Sequence, residues 1–198
     1  MSQLGAPNWV MTKFTNGFFL DVGCADGEYI SNTFELEKNG WKGICIDAFP
    51  RNFVNRPDTI VVQAAVFSEK DKEVEFVISN EDPDLSGITD SLGKWKDRVL
   101  SNVSRTEILK TRLLGDILDE NNAPSFIEYM NLDIEGPEYD ILTTFPFDKY
   151  SFGCMSIEHN FEEPKRTLIK ELLYKNGYVL EKEVEWDDWY INSKYINT

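Results

Sequence analysis

The stretch Phe18-Phe19-Leu20-Asp21-Val22-Gly23-Cys24-Ala25-Asp26-Gly27 decides the fold of this chain. It begins as an apolar, strand-favouring run, and two glycines four positions apart then precede a helical pattern over Glu28–Lys38. A strand, a glycine turn and a helix in this order let the backbone approach a small ligand closely. The stretch therefore predicts a ligand-binding turn in an α/β domain, with the helix N-terminus facing the ligand's acidic end.

A second apolar run, Gly43–Asp47, ends in an acid twenty residues after Gly27. Nucleotide-binding α/β units place here the carboxylate that accepts hydrogen bonds from ribose hydroxyls. The turn lacks the dinucleotide fingerprint, because Ala25 stands where Gly-x-Gly-x-x-Gly has its middle glycine. An acid inside the turn would also repel a pyrophosphate, whereas the amino acid end of S-adenosylmethionine carries an ammonium. The pattern favours S-adenosylmethionine over NAD, and a purely structural turn is the alternative.

Composition predicts one domain over residues 1–198, with residues 1–16 as an N-terminal extension. The chain has 198 residues, 41% of them hydrophobic, which is enough for a substantial core. A net charge of −15 argues against a nucleic acid partner, because phosphate binding relies on Lys and Arg. No apolar run approaches the roughly 20 residues that span a bilayer, so no membrane partner is expected.

Localisation is predicted from the N-terminus and the cysteines. No basic segment followed by an apolar core begins the chain, so no secretory signal is expected. The three cysteines all lie in or beside apolar runs, which favours reduced thiols. These features predict a cytoplasmic protein, in the host cytoplasm if its source is a virus.

Alternating strand and helix patterns predict a mostly parallel sheet covered on both faces. The expected strands are Phe18–Val22, Gly43–Asp47, Ile60–Val66, Val74–Ser79, Phe126–Leu132, Met155–Glu158, Tyr178–Val184 and Trp189–Ile191. The expected helices are Glu28–Lys38, Arg105–Lys110, Ile117–Asn121, Glu138–Thr144 and Lys165–Asn176. The last two strands are expected to pair antiparallel at a sheet edge. The polar stretch Asn80–Ser104 is expected to be a loop, either a lid or a surface insertion.

Acids that close strands predict a crevice. Asp21, Asp47, Asp133 and Glu158 each close an expected strand, and the carboxyl ends of parallel strands meet at one edge of a sheet. In the turn after Asp133, a glycine and a proline let the chain reverse into a helix, and Glu138 suits the positive start of that helix. The role of the other acid in this turn, Glu135, stays open between substrate binding and loop anchoring.

His159 is the single histidine of the chain. It follows the strand that Glu158 closes, so we place it in the same crevice as Asp21 and Asp133. A histidine there can act as a general base, and a structural histidine is the alternative.

Three motifs and a closing segment together resemble the FkbM family of S-adenosylmethionine-dependent methyltransferases. The resemblance covers Phe18 to Ile191 and rests on Leu20-Asp21-Val22-Gly23-Cys24-Ala25-Asp26-Gly27-Glu28-Tyr29, Leu132-Asp133-Ile134-Glu135-Gly136-Pro137-Glu138-Tyr139-Asp140-Ile141-Leu142, Ser156-Ile157-Glu158-His159-Asn160 and Asp187-Asp188-Trp189-Tyr190. It implies a Rossmann-like class I methyltransferase fold, with a seven-stranded, mostly parallel sheet and an antiparallel edge hairpin. It also implies methyl transfer to a hydroxyl of a sugar or glycan. A polyketide or lipid hydroxyl, or an inactive donor-binding scaffold, are the alternatives.

The resemblance also implies a donor site. Asp47 would hold the ribose of the donor and Ala65 would lie near its adenine. The full set of cofactor-binding residues expected is Asp21, Gly23, Cys24, Gly27, Asp47, Ala48 and Ala65. In the glycine turn, the segment Cys24-Ala25-Asp26 departs from the small residue followed by Asn that many members have, which puts in doubt how the methionine end of the donor is held.

Two mechanisms for activating the acceptor hydroxyl remain open. In the first, His159 is the general base and Asp133 orients its ring. In the second, Asp133 and Glu158, with His159 or Asn160, hold Mg²⁺ or Mn²⁺, which lowers the pKa of the hydroxyl. Against the second, catechol-type methyltransferases place a lysine base just after the fourth-strand acid, and Ile134 stands there in this chain.

Overall fold

The computed structural model describes residues 4–81 and 83–195. Residues 1–3 of the expected N-terminal extension, and residues 196–198 of the expected domain, therefore lie outside the described residues. Within the described ranges the strands are β1 Phe18–Val22, β2 Lys42–Asp47, β3 Thr59–Gln63, β4 Ala65–Val66, β5 Glu73–Ser79, β6 Gly87–Ile88, β7 Val103–Arg112, β8 Phe126–Leu132, β9 Ser151–Glu158, β10 Tyr178–Val184 and β11 Asp187–Asn192. The α-helices are α1 Ala6–Met11, α2 Phe34–Lys38, α3 Lys96–Ser101, α4 Leu114–Glu120, α5 Glu138–Thr144 and α6 Lys165–Lys175.

Seven strands form the main sheet, in the order β10-β11-β9-β8-β1-β2-β3. Strands β3, β2, β1, β8 and β9 run parallel, and β11 is antiparallel to both of its neighbours, β9 and β10. The expected α/β class with a seven-stranded, mostly parallel sheet is confirmed. A second sheet, in the order β4-β7-β5-β6, was not expected from the sequence.

The pairing register aligns the carboxyl ends of the central strands. Val22 of β1 lies level with Ile46 of β2 and with Leu132 of β8, which is level with Ile157 of β9. The residues that follow these four therefore form one row at the edge of the sheet: Gly23, Asp47, Asp133 and Glu158. This row is the crevice that the strand-closing acids predicted.

Both faces of the main sheet are covered, because successive side chains of its buried strands point to opposite faces. Leu20 and Val22 pack on one face with side chains of α4, α5 and α6. Phe19 packs on the other face, in a cluster that includes α1. On that helix, the ring of Trp9 stacks on Trp189 with centroids 4.8 Å apart, so the described part of the expected extension is packed against the sheet.

Three of the expected elements are wrong. The segment Arg105–Lys110, expected as a helix, lies within β7, where antiparallel pairing with β5 supplies its backbone hydrogen bonds. The expected strand Ile60–Val66 divides at Ala64, whose N–H donates to the Asp47 carbonyl, and its two parts enter different sheets. The expected helix Glu28–Lys38 forms only over its second half, as α2.

The expected loop Asn80–Ser104 contains a 3₁₀ helix at Pro83–Leu85, together with β6 and α3. It packs onto the second sheet and faces the row of strand ends. Among the described residues, no helix is both long and apolar enough to cross a membrane.

Candidate functional site

Two cavities lie at the carboxyl edge of the main sheet. One, here called the β2 cavity, has an empty volume of about 690 Å³ and is lined mainly by apolar side chains around Asp47, Ala48 and Ala65. The other, here called the acidic cavity, has about 1540 Å³ and extends from Asp21 to Trp186. Six residues line both of them: Gly23, Ala25, Pro83, Asp84, Asp133 and Glu135. The two cavities are therefore neighbouring parts of one crevice.

Gly23 closes the glycine turn against the end of β8. Its φ is +85°, and a Cβ at this position would lie 1.6 Å from the Asp133 carbonyl oxygen, so no other residue fits. The Gly23 N–H donates to the Ile46 carbonyl (2.8 Å), and the Asp133 N–H donates to the Val22 carbonyl (2.9 Å). These bonds hold the ends of β1, β2 and β8 together where the cavities meet.

Asp47 is already bound by the backbone on both carboxylate oxygens. One oxygen accepts the Ala25 N–H (2.9 Å) and the other accepts the Phe49 N–H (2.7 Å). Burial raises the pKa of Asp47, and these two hydrogen bonds act against that rise. Each carboxylate oxygen keeps a further lone pair, so Asp47 can also accept from a ligand hydroxyl in the β2 cavity.

Of the expected donor-binding residues, Cys24 lines a cavity and Gly27 does not. Cys24 lines the acidic cavity, and burial raises the pKa of its thiol well above the usual value. Gly27 is not among the residues that line either cavity within the described ranges. A Cβ at Gly27 would lie 2.8 Å from the Asn52 carbonyl oxygen, so this glycine permits close packing of the turn on the segment after β2.

Residues 28–33 form a loop where the sequence predicted the first turns of a helix, and no helix N-terminus faces the cavities at this turn. The loop is held by Arg56, which is 2% exposed and reaches it from another part of the chain. Its guanidinium donates to Ser31 Oγ (3.3 Å) and to Thr33 Oγ1 (3.0 Å), and it pairs with Glu37 (2.7 Å). These bonds fix the position of the loop, and Asp26 Oδ1 accepts the backbone N–H groups of Glu28 and Tyr29 at its start.

A buried polar network forms the floor of the acidic cavity. Asp21 accepts from Thr33 Oγ1 (2.6 Å) and from Asn131 Nδ2 (3.0 Å). Asn131 Oδ1 in turn accepts from Ser156 Oγ (2.7 Å) and from Asn32 Nδ2 (3.1 Å). Burial raises the pKa of Asp21, and the hydrogen bond from Thr33 lowers it. Asp21 therefore links β1 to β8 and to the loop 28–33 beneath the cavity.

Three carboxyl groups, here called the acid trio, stand together in this cavity: Asp133, Glu135 and Glu158. One oxygen of each lies within 4.8 Å of the others. Burial, then repulsion from neighbouring carboxylates, raises the pKa of Asp133 to about 8 and that of Glu135 to about 9. The pKa of Glu158 is raised well above its usual value for the same reasons. Like charges this close cannot all stay ionised without a cation or a shared proton.

Glu138 anchors the turn that carries two members of the trio. It begins α5, and its Oε1 accepts from the Ile134 N–H (3.2 Å) and the Gly136 N–H (2.9 Å). Lys165 Nζ pairs with the other oxygen at 3.1 Å. Glu135 itself has a φ of +62°, a conformation that non-glycine residues rarely adopt. The structure thus assigns anchoring to Glu138 and leaves Glu135 facing the cavities.

His159 does not reach the crevice. It is 1% exposed and is not among the lining residues, whereas its neighbours Glu158 and Asn160 are. Its Nδ1 accepts the Phe161 N–H (2.9 Å), and its Nε2 lies 3.4 Å from Asp188 Oδ1. With one nitrogen occupied as an acceptor and the other facing a carboxylate, neither is available to an acceptor hydroxyl. The geometry does not support His159 as the base or as a metal ligand.

Asp188 explains why His159 is held there. Arg166 donates two hydrogen bonds to the Asp188 carboxylate, at 2.9 and 2.6 Å. Burial alone would raise the pKa of Asp188, but the nearby His159 and the two hydrogen bonds from Arg166 lower it to about 2. His159 therefore belongs to a buried ion-pair group behind the site.

Further residues line the crevice, among them Trp95 and Trp186, which the sequence alone leaves open between stacking on a sugar and packing in the core. Asn32 and the aromatic residues Tyr29, Trp95 and Trp186 line the acidic cavity. Asp84 lines both cavities, and its Oδ1 pairs with Arg51 Nη2 at 2.5 Å. Asn131 also lines the acidic cavity, and its position two residues before the strand-closing Asp133 is a signal that could have predicted it.

Comparison with known protein families identifies the family of this chain. The family model described as "Methyltransferase FkbM domain" matches residues 21–180, which include Asp21, Asp47 and the acid trio. The curated proteins and the solved structures gave no match. Because the match covers most of the chain, from the glycine turn of β1 into β10, this protein belongs to the FkbM methyltransferase family.

Proposed function

We propose that the protein is an S-adenosylmethionine-dependent O-methyltransferase with a Rossmann-like class I fold, and that it methylates a hydroxyl of a sugar or glycan. The observation that carries this proposal is the junction of the two cavities at Gly23 and Asp133. A methyltransferase must bring a nucleoside donor and an acceptor together at one point, and a two-part crevice supplies both places.

The residues of the β2 cavity fit the nucleoside of the donor. Ala48 and Ala65 have small side chains, which leave room for a flat ring beside Phe49 and Phe76. Asp47 accepts from the ribose hydroxyls with the lone pairs that its backbone hydrogen bonds leave free. When bound, S-adenosylmethionine supplies an electrophilic methyl group on a sulfonium. Gly23 lets its amino acid end pass into the acidic cavity.

Asp133 and Glu135 are proposed to activate the acceptor, because they line both cavities and so stand where the acceptor meets the donor. A sugar hydroxyl is a weak nucleophile at neutral pH, and a positioned base contributes about 10²- to 10⁴-fold. In this proposal Asp133 takes the hydroxyl proton, and Glu158 stabilises the proton by sharing it. His159 supports β11 from behind and takes no part in proton transfer.

A divalent cation is the second candidate for this activation. The oxygens of the acid trio lie within 4.8 Å of one another, and Mg²⁺ and Mn²⁺ prefer such oxygen ligands. Asp133, Glu135 and Glu158 would hold the ion, which lowers the pKa of a bound hydroxyl. Assay in excess EDTA, followed by addition of Mg²⁺ or Mn²⁺, separates the two candidates. Unchanged turnover in EDTA supports the base, and loss that either metal restores supports the ion.

A sugar acceptor is proposed because of the chemistry of the acidic cavity. Its wall combines carboxylates, which accept from hydroxyl groups, with the rings of Tyr29, Trp95 and Trp186, which offer apolar faces. A polyketide or lipid alcohol with few hydroxyl groups would leave most of these carboxylates without a partner. The acids Asp21, Asp47 and Asp133 are all present, which argues against an inactive scaffold.

The experiment that tests this function begins with donor binding. S-adenosylhomocysteine is expected to raise the melting temperature and NAD is not. Nucleotide sugars, short glycans, and lipid and polyketide alcohols are then assayed with methyl-labelled donor. Label in a sugar hydroxyl is the expected result. Label only in the other alcohols would support the non-sugar alternative, and donor binding without transfer to any of them would support the scaffold.

A further inference from the structure

Phe161 has a strained backbone and an exposed ring beside the acidic cavity. It directly follows Asn160, which lines that cavity. The φ of Phe161 is +60° and that of Asn160 is +47°, a left-handed conformation that a bulky side chain rarely adopts because it costs free energy. Phe161 is nevertheless 57% exposed, so burial of its ring offsets little of this cost. A strained residue whose aromatic ring faces solvent indicates a binding role for the ring.

Hydrogen bonds hold the backbone of this turn in place. The N–H groups of His159 and Asn160 both donate to the Trp186 carbonyl (2.9 and 3.3 Å). The Phe161 N–H donates to Nδ1 of His159 (2.9 Å), and the Glu162 N–H donates to the His159 carbonyl (2.8 Å). The strained conformation is therefore fixed before any ligand binds, which lowers the entropy lost on binding.

A second loop completes a surface around the Phe161 ring. The Lys94 Nζ lies 4.7 Å from the centroid of the Trp95 ring and 5.7 Å from that of the Phe161 ring. Since Trp95 lines the acidic cavity, this surface is continuous with the cavity. The backbone N–H of Lys94 donates to Glu162 Oε1, which ties the two loops together. The three residues Lys94, Trp95 and Phe161 are here called the outer platform.

The groups of the outer platform fit a sugar unit. Its two aromatic rings offer apolar faces, and the Lys94 ammonium offers three N–H donors to hydroxyl oxygens. The Glu162 carboxylate pairs instead with Lys165 (2.9 Å), and no ion pair of Lys94 occurs among the described residues. The ammonium can therefore donate to a ligand. A sugar chain whose terminal unit occupies the acidic cavity would bring its next unit to this surface.

We propose that the acceptor is an oligosaccharide or glycan chain, and that the outer platform binds the unit next to the one that is methylated. The inference rests on the proposed function, since it takes a sugar in the acidic cavity as its starting point. Phe161 and Lys94 are then specificity-determining residues, which favour a chain of two or more units over a single sugar. Because they contact the neighbouring unit, they act on KM for the acceptor.

The test compares acceptors of different length. Sugars of one, two and three units, drawn from hexose, 6-deoxyhexose and N-acetylhexosamine series, are assayed with methyl-labelled donor. In the wild type, kcat/KM is expected to rise about 10- to 100-fold from one unit to three, the range that hydrogen bonds to a charged group supply. Phe161→Gly and Lys94→Met are each expected to lose most of this gain, through a higher KM for the longer acceptors.

Tyr174→Ala is the matched control. Tyr174 is also an exposed aromatic residue beside a lysine, with Lys170 Nζ 5.8 Å from the centroid of its ring. It lies on α6 and is not among the residues that line either cavity. The variant is expected to keep the full gain with acceptor length.

Melting curves separate a binding role of the Phe161 ring from a structural one. Glycine adopts a φ of +60° without strain, so Phe161→Gly is expected to melt no lower than the wild type. A marked fall in its melting temperature would assign the ring to the fold and overturn the inference.

The kinetic results distinguish the inference from the function on which it rests. Equal kcat/KM for one and three units in the wild type, or a gain that survives in both platform variants, would overturn the inference and leave the proposed function standing. No label in a sugar of any length would instead reject the sugar acceptor itself, and the inference with it.

Discussion

The β2 cavity and the acidic cavity begin at the same row of strand ends, yet their polar groups are in opposite states. In the β2 cavity, Asp47 has a backbone N–H on each oxygen and most of the lining side chains are apolar. In the acidic cavity, three carboxyl groups crowd together. The difference indicates that the chain alone completes the first cavity, whereas the second is completed only by what it binds. Substitutions in the two cavities should therefore differ in kind.

The largest effect is expected in the acidic cavity. Asp133→Asn removes the proposed base and one proposed metal ligand, so we expect kcat to fall by about 10²- to 10⁴-fold. Affinity for S-adenosylhomocysteine should change little. Thermal stability should rise, because the folded protein no longer has to keep a carboxyl group protonated at this position. Kinetics with labelled donor, calorimetry and melting curves measure the three quantities. Asp140→Asn, an exposed change on α5, is the matched control, and retained turnover in Asp133→Asn would contradict the assignment.

The matching substitution in the β2 cavity should have the reverse pattern. Asp47→Ala leaves the Ala25 and Phe49 N–H groups without their partner and removes the proposed ribose contact. We expect affinity for S-adenosylhomocysteine to fall about 10- to 100-fold and the free energy of unfolding to fall by about 1 to 3 kcal/mol. Calorimetry and urea denaturation measure these changes. Unchanged stability would show that Asp47 does not hold the turn.

Acid pH should weaken the ion-pair group behind the acidic cavity. The pKa of Asp188 is about 2 in the folded protein against an ordinary value of 3.8, so ionised Asp188 stabilises the fold. This contribution is complete above about pH 4 and is lost as the pH falls towards 2, and it amounts to about 2 kcal/mol. Urea denaturation of the wild type and of Asp188→Asn should show a stability gap that narrows by that amount over this range. A gap independent of pH would contradict the ion pair.

The smallest effect on activity is expected at His159. Since His159 lies outside both cavities, His159→Gln should keep kcat within about threefold of the wild type while lowering the free energy of unfolding by about 1 to 2 kcal/mol. The same assays apply. A loss of kcat as large as that of Asp133→Asn, with the fold intact, would restore the histidine base predicted from the sequence.

The row of strand ends could be predicted from the sequence because each apolar run predicts one strand. The carboxyl ends of parallel strands then lie at the same edge of the sheet. The loop 28–33 could not, since its conformation depends on Arg56, which is distant in the chain. The strand conformation of β7 likewise depends on its pairing with β5, which the local sequence does not show.

The orientation of His159, by contrast, could have been predicted from the alternation of side chains along a strand. Adjacent residues of a strand face opposite sides, so Glu158 pointing into the crevice already implies that His159 points away. What the sequence could not give was the partner that holds it, Asp188 on β11.

The central claim is that one crevice divides a methyl donor between two unlike cavities. A crystal structure with S-adenosylhomocysteine tests it most directly. The account predicts the adenosine in the β2 cavity beside Asp47 and Ala65, and the amino acid end past Gly23 in the acidic cavity. A nucleoside bound elsewhere, or an amino acid end directed away from the acid trio, would contradict it.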